Sequence, residues 1–169
     1  MSRPKKAEAM KLDVIDKKIL SALIENSRVM SKELSRKLRV HPNTLLQRLK
    51  KLEASGVIKK YQAVVDFPKI DKQMQVLMFL KVNMEKDWEA ALRPAAKFPE
   101  IVSFILISGE HDVLVIARVK DEKHLAELMR KMQATKVVAK TTTHIIVDYY
   151  REPHEYNPLK EELDWWPAK

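Results

Sequence analysis

The sequence predicts an α+β chain in two parts: three helices and a strand, then a β-α-β-β-α-β run. Three observations carry this. Apolar residues recur at helical spacing through the first part, whereas β-branched runs bounded by turn residues dominate the second. Two short helices joined by a tight connector precede a third helix with a polar face. The charge is also split: residues 1–66 hold 16 Lys+Arg against 7 Asp+Glu, and residues 67–169 hold 16 of each. The whole net charge of +9 therefore lies ahead of residue 67. That asymmetry implies one half that binds a polyanion and a neutral half with another task.

Composition excludes several classes. The 169 residues can hold one medium domain or two small ones. No apolar run reaches the ~18 residues of a membrane span, and the N-terminus MSRPKKAEAMK has no apolar signal region. The absence of cysteine removes disulfides and thiolate metal sites, and suits a cytoplasmic protein. Gly56 and Gly109 are the only glycines, which excludes glycine-rich phosphate loops. Histidines 41, 111, 124, 144 and 154 show no HxxxH spacing, so no metal site is expected, and no catalytic motif appears.

In the first part, Leu12, Ile15, Ile19 and Leu23 recur as one helical stripe, with Asp13 placed to cap it. "SKELSRKL" forms a second helix, capped by Ser31, with Leu34 and Leu38 inward. Arg39-Val40-His41 is short enough only for a tight turn. "HPNTLLQRLKKLE" follows, with Pro42 in the first helical position and Gly56 past its end. Leu45, Leu46, Leu49 and Leu52 fall in one arc of this helix. Asn43, Thr44, Gln47, Lys50 and Lys51 fall in the opposite arc, with Arg48 on its flank. "VIKKYQAVVDF" then reads as a strand, giving a winged helix-turn-helix over residues 1–66.

This half resembles the DNA-binding domain of the Lrp/AsnC (feast/famine) transcription regulators. The resemblance rests on Leu12-Asp-x-Ile-Asp16, on Glu33-Leu-Ser35, and on Arg48, Leu52, Glu53, Gly56 and Ile58. It implies that the third helix enters the major groove of double-stranded DNA. Asn43, Thr44, Gln47, Arg48 and Lys51 are then candidates for base edges, since Asn and Gln pair with adenine and Arg or Lys with guanine. Ser31, Lys32, Arg39 and His41 are candidates for the backbone, Lys32 for phosphate in particular. Arg39 stands where the family usually has glycine, so either it sits at φ > 0 at a cost of about 1 kcal/mol or the turn takes another shape. His41 stands where serine is frequent and reads as a poor N-cap.

In the second part, strands are expected over Gln75–Asn83, 101–108, 112–119 and 141–150. Helices are expected over Asp87–Phe98, where Pro94 should kink or shorten the helix, and over 121–132, with Leu125, Leu128, Met129 and Met132 inward. This order predicts a ferredoxin-like domain over 67–150, with two helices on one sheet face. The methionines read as core. The resemblance extends here to the family's effector-binding and oligomerisation domain, through Ser108-Gly-Glu-His-Asp112 and Val138-x-x-Thr141-x-Thr143. It implies an amino acid or other small effector at Ser108, Gly109, His111, Asp112, Thr141 and Thr143. It also implies a homodimer that pairs its sheets, with octamers frequent. Lys136-Val137 replaces the family's Pro-Gly. Residues 151–169 read as a C-terminal extension, in which Trp165 and Trp166 either cover a partner subunit or form a tail.

Two other readings share these features. Siroheme decarboxylases resemble the family in both halves, but their additional His- and Tyr-rich motifs are absent here, and an enzyme leaves the basic half unexplained. A small-molecule sensor without DNA binding conflicts with the intact polar face of the third helix. The sequence therefore reads as a non-enzymatic DNA-binding regulator.

Overall fold

Residues 10–70, 74–83 and 87–160 are described by a computed structural model. The chain divides into two compact units. One takes the residues up to Val64 together with those from Arg151 onward, and the other is Val65–Tyr150.

The first unit holds α1 (Val14–Glu25), α2 (Ser31–Leu38) and α3 (Pro42–Ala54). Asp13 starts α1: its Oδ1 accepts the Asp16 N–H at 2.8 Å, and Asp16 Oδ2 accepts the Asp13 N–H at 3.3 Å. Two orphan donors of the first turn are thus satisfied reciprocally. Ile19, Leu34, Leu38, Leu45 and Leu52 form the core, with Ile15, Leu23, Val40 and Leu49 packed against it. Each fully buried Leu or Ile contributes about 1.5–3 kcal/mol.

The turn between α2 and α3 holds an arginine in the left-handed region. Arg39 adopts φ 55° and ψ 41°, the left-handed one of the two alternatives. Its N–H reaches Arg36 O at 3.2 Å, and the Val40 N–H reaches Ser35 O at 3.0 Å. These paired bonds close the end of α2, while half-buried Val40 packs on the core. His41 is a better cap than expected, because its Nδ1 accepts the Asn43 N–H at 3.2 Å.

Three expectations for this unit are corrected. Ser31 is the first residue of α2 rather than its cap; Met30 holds the cap position without a side-chain hydrogen bond. Leu46 lies at the edge of the apolar arc and is 45% exposed. Residues 57–66 form no strand. A strand needs a neighbouring edge, and none of the described residues supplies one. The segment is instead tied to α3 by Tyr61, whose hydroxyl donates to Glu53 at 2.7 Å.

The chain returns to this unit after residue 150. Asn157, 6% exposed, places its Nδ2 3.0 Å from both Ser21 Oγ and Glu25 Oε1, and 3.2 Å from Ser21 O. Residues 151–160 are thereby clasped to α1. Trp165 and Trp166 lie outside the described residues.

The second unit is the expected β-α-β-β-α-β fold. β1 (Met74–Val82), β2 (Ile101–Leu106), β3 (Val113–Val119) and β4 (Val138–Ile145) form one antiparallel sheet in the order β2-β3-β1-β4. Alternation decides the faces. Val76, Met78, Leu80, Val113, Val115 and Ala117 are fully buried beneath α4 (Trp88–Leu92) and α5 (Glu122–Gln133), which contribute Leu92, Leu128 and Met132. Pro94 ends the first helix early: α4 stops at Leu92, and a 3₁₀ turn spans Arg93–Lys97. β4 starts three residues before the expected strand and ends before Ile146.

A buried charge ties α5 to the sheet. Glu100 is 5% exposed, and its Oε1 lies 2.7 Å from Lys131 Nζ and 3.1 Å from His124 Nε2. His124 Nδ1 accepts the Lys120 N–H at 3.3 Å, so in the neutral ring Nε2 carries the proton. Burial pushes the Glu100 carboxyl up, but the bonds from Lys131, the backbone and His124 outweigh it and hold the pKa at about 2.

Candidate nucleic-acid interface and effector site

The first unit exposes a set of cationic and polar residues on α2, α3 and the turn between them. On α3, Asn43, Thr44, Gln47, Lys50 and Lys51 are exposed, as the helical wheel expects. Ser31, Lys32, Arg39 and His41 are also exposed, at the start of α2 and in the turn that leads into α3. The left-handed conformation of Arg39 and the His41 cap fix that entry, so local backbone chemistry sets where α3 begins.

Arg48 departs from this set. Its Nη1 lies 2.6 Å from Asp13 Oδ2 and 2.6 Å from Asp16 Oδ1. Arg48 is thus turned toward α1 rather than displayed with Gln47. The mutual bonds pull its pKa up, and they help the Asp16 backbone bond pull that of Asp13 down. Sequence reasoning missed this because the partners lie 35 and 32 residues away. The available signal was the pairing of Asp13 with Asp16, since each carboxylate uses one oxygen in the cap and keeps the other for a cation.

In the second unit, Ser108 to Asp112 join β2 to β3, and Gly109 sits at φ +115°, where side chains are strained. Asp112, 8% exposed, is engaged in the fold. Its Oδ2 accepts the Val82 N–H at 2.9 Å and its Oδ1 the Lys81 ammonium at 3.2 Å. The Val82 bond leads the depression of its pKa, burial opposes it, and Lys81 adds to it. Asp112 therefore pins the turn to the end of β1. Asp112→Ala is expected to lower the melting temperature while DNA affinity stays near normal. Unchanged melting with loss of ligand binding by calorimetry would assign Asp112 to the ligand instead.

The register separates the expected effector residues. Thr141 pairs with Leu80 and Thr143 with Met78, so both share the helix-covered face. His111 lies on the other side, 5.3 Å from the Phe79 ring. Within one chain, Thr141 and Thr143 therefore do not join His111 in a single pocket. Beside Phe79 stand His144, 5.8 Å from its ring, and Thr142, its register partner. The strand period gave these residues away only once β4 was aligned with β1.

Fold, charge placement and an exposed polar helix are those of a DNA-binding module joined to a second module built on a sheet. Residues 12–59 match the winged helix-turn-helix DNA-binding family, and residues 75–156 match the Lrp/AsnC ligand binding domain. An uncharacterised HTH-type transcriptional regulator of Pyrococcus furiosus is 30% identical over 149 residues, which are 88% of this chain and 100% of its own. The HTH-type transcriptional regulator FL11 of Pyrococcus horikoshii is 32% identical over 149 residues, 88% of this chain and 97% of its own. A transcriptional regulator of Neisseria meningitidis, solved as a complex with L-Met, superposes with a TM-score of 0.81 at 26% identity. That match covers 84% of this chain and 94% of the other. The chain belongs to the Lrp/AsnC family: it is a DNA-binding transcription regulator with an effector-binding domain. Among the described residues, no helix is long and apolar enough to cross a membrane, and no cluster of acids and histidines could hold a metal.

Proposed function

We propose that the protein is a cytoplasmic, sequence-specific regulator that binds operators as a homodimer and responds to an amino acid. The observation that carries the reading is the exposed polar face of α3 above a fully buried Leu45–Leu52 line. In this reading residues 1–66 contact DNA, residues 67–150 pair subunits and bind effector, and 151–169 are a C-terminal extension. The open sheet face supports the dimer. Leu77, Phe79, Leu114 and Ile116 are only half-buried there, and Ile105 is 42% exposed. Two subunits joined this way supply two recognition helices for half-sites about 34 Å apart.

In this reading the effector binds near the Ser108–Asp112 turn. Gly109 lets a ligand approach the backbone, whose N–H groups can bind a carboxylate. L-methionine, the ligand in the Neisseria structure, is the first probe for calorimetry.

Gln47→Ala is expected to cost about 1–3 kcal/mol on a selected site and to relax preference at one base position. Lys32→Ala should instead weaken selected and random DNA alike. Equal losses on both DNAs for Gln47→Ala would make α3 a backbone binder and overturn the reading.

A further inference from the structure

We infer that Arg48 is a positioning residue: its bridge to Asp13 and Asp16 sets the roll of α3 that aims Gln47 and its neighbours at the bases. The inference rests on the reading of α3 as the helix that meets DNA. Leu45 and Leu52, both fully buried, anchor α3 to the core. They stand seven residues apart, nearly in line along one side, so they resist translation better than rotation about that line. Arg48 projects to one flank of the line and half-buried Leu49 to the other. A roll of about 10° moves a tip at the ~6 Å outer radius by about 1 Å. That displacement exceeds the range over which a direct base hydrogen bond holds its length.

The acids are fully committed to this arrangement. One oxygen of each closes the cap of α1, Asp13 Oδ1 on the Asp16 N–H and Asp16 Oδ2 on the Asp13 N–H. The remaining oxygen of each receives Arg48 Nη1. Asp16 is 3% exposed, so removing the guanidinium would leave a buried carboxylate beside a second one without their shared cation. Drawing Arg48 toward a phosphate would incur that cost and bring two acids near a polyanion. The geometry thus favours a fixed Arg48 over a DNA-seeking one.

The acid partners separate the two roles by the sign of their effect. In the full-length protein, Arg48→Lys keeps the charge but loses the guanidinium geometry, and Asp16→Asn keeps the shape but loses the charge. Affinity is measured for a duplex obtained by in vitro selection and for a random duplex of equal length, with circular dichroism confirming folded protein at the assay temperature. Each variant is expected to lose about tenfold or more on the selected duplex, a loss typical of a broken side-chain network. Random-duplex affinity should change little. Asp13→Asn gives the same readout should Asp16→Asn fail to fold. Tighter binding to both duplexes by the Asp→Asn variants, with equal weakening on both by Arg48→Lys, would overturn the inference and make Arg48 a phosphate contact. Unchanged selectivity in Arg48→Lys would overturn it as well. Gln47→Ala, run alongside, separates the two levels. If it also leaves selectivity unchanged, the reading of α3 fails; if it alone lowers selectivity, only the positioning role fails.

Discussion

Raising salt from about 50 to 200 mM is expected to weaken DNA binding about a thousandfold for a dimer that neutralises about six phosphates. Each neutralised phosphate releases a counterion and adds about −0.9 to the slope of log K against log salt. The basis is the placement of charge. Residues 1–66 carry the whole excess of +9, and Lys32, Arg39, Lys50, Lys51, Lys59 and Lys60 are all exposed. Fluorescence anisotropy across a salt series measures the slope. Lys32→Ala should make it shallower by about one contact per subunit. A slope near zero would mean that the basic surface does not meet phosphate.

Lys131→Met is expected to destabilise the second unit by about 3 kcal/mol at neutral pH, because it leaves the buried Glu100 carboxylate with only His124 as a side-chain partner. The loss should depend on pH in one direction. The Glu100 pKa is about 2 in the folded chain, below its ordinary value of 4.5. Its contribution is therefore fully present above about 4.5 and disappears as pH falls through about 2. Urea unfolding of both proteins across that window should show their stabilities converging in acid. A difference that stays constant would assign the effect to packing instead, since Lys131 also lies over the Phe98 ring at 5.9 Å.

What the sequence revealed was whatever depends on short-range periodicity. The stripe Leu12, Ile15, Ile19, Leu23 and the cap at Asp13 place α1, and alternation in "DVLVIARV" places β3 with its buried face. What it hid depends on partners distant in the chain. Arg48 looks like a base reader until Asp13 and Asp16 arrive beside it. Thr141 and Thr143 look like effector residues alongside His111 until the register with Leu80 and Met78 turns them to the helix-covered face. Residues 57–66 have strand composition, but composition supplies no neighbour to pair with.

The clasp of Asn157 onto α1 also sets an order of events at the ribosome. Asn157 is added 132 residues after its partner Glu25, a delay of about 7–26 s at ordinary elongation rates. The three-helix core draws its buried residues from α1 to α3 alone, so its apolar contacts become available long before the clasp. The residues that bury α3 are thus all present while the Asn157 bonds are still untranslated. Any chain arrested between α3 and residue 157 carries the DNA-binding surface without the clasp. Translation through Asn157 is what separates the clasped unit from such a chain.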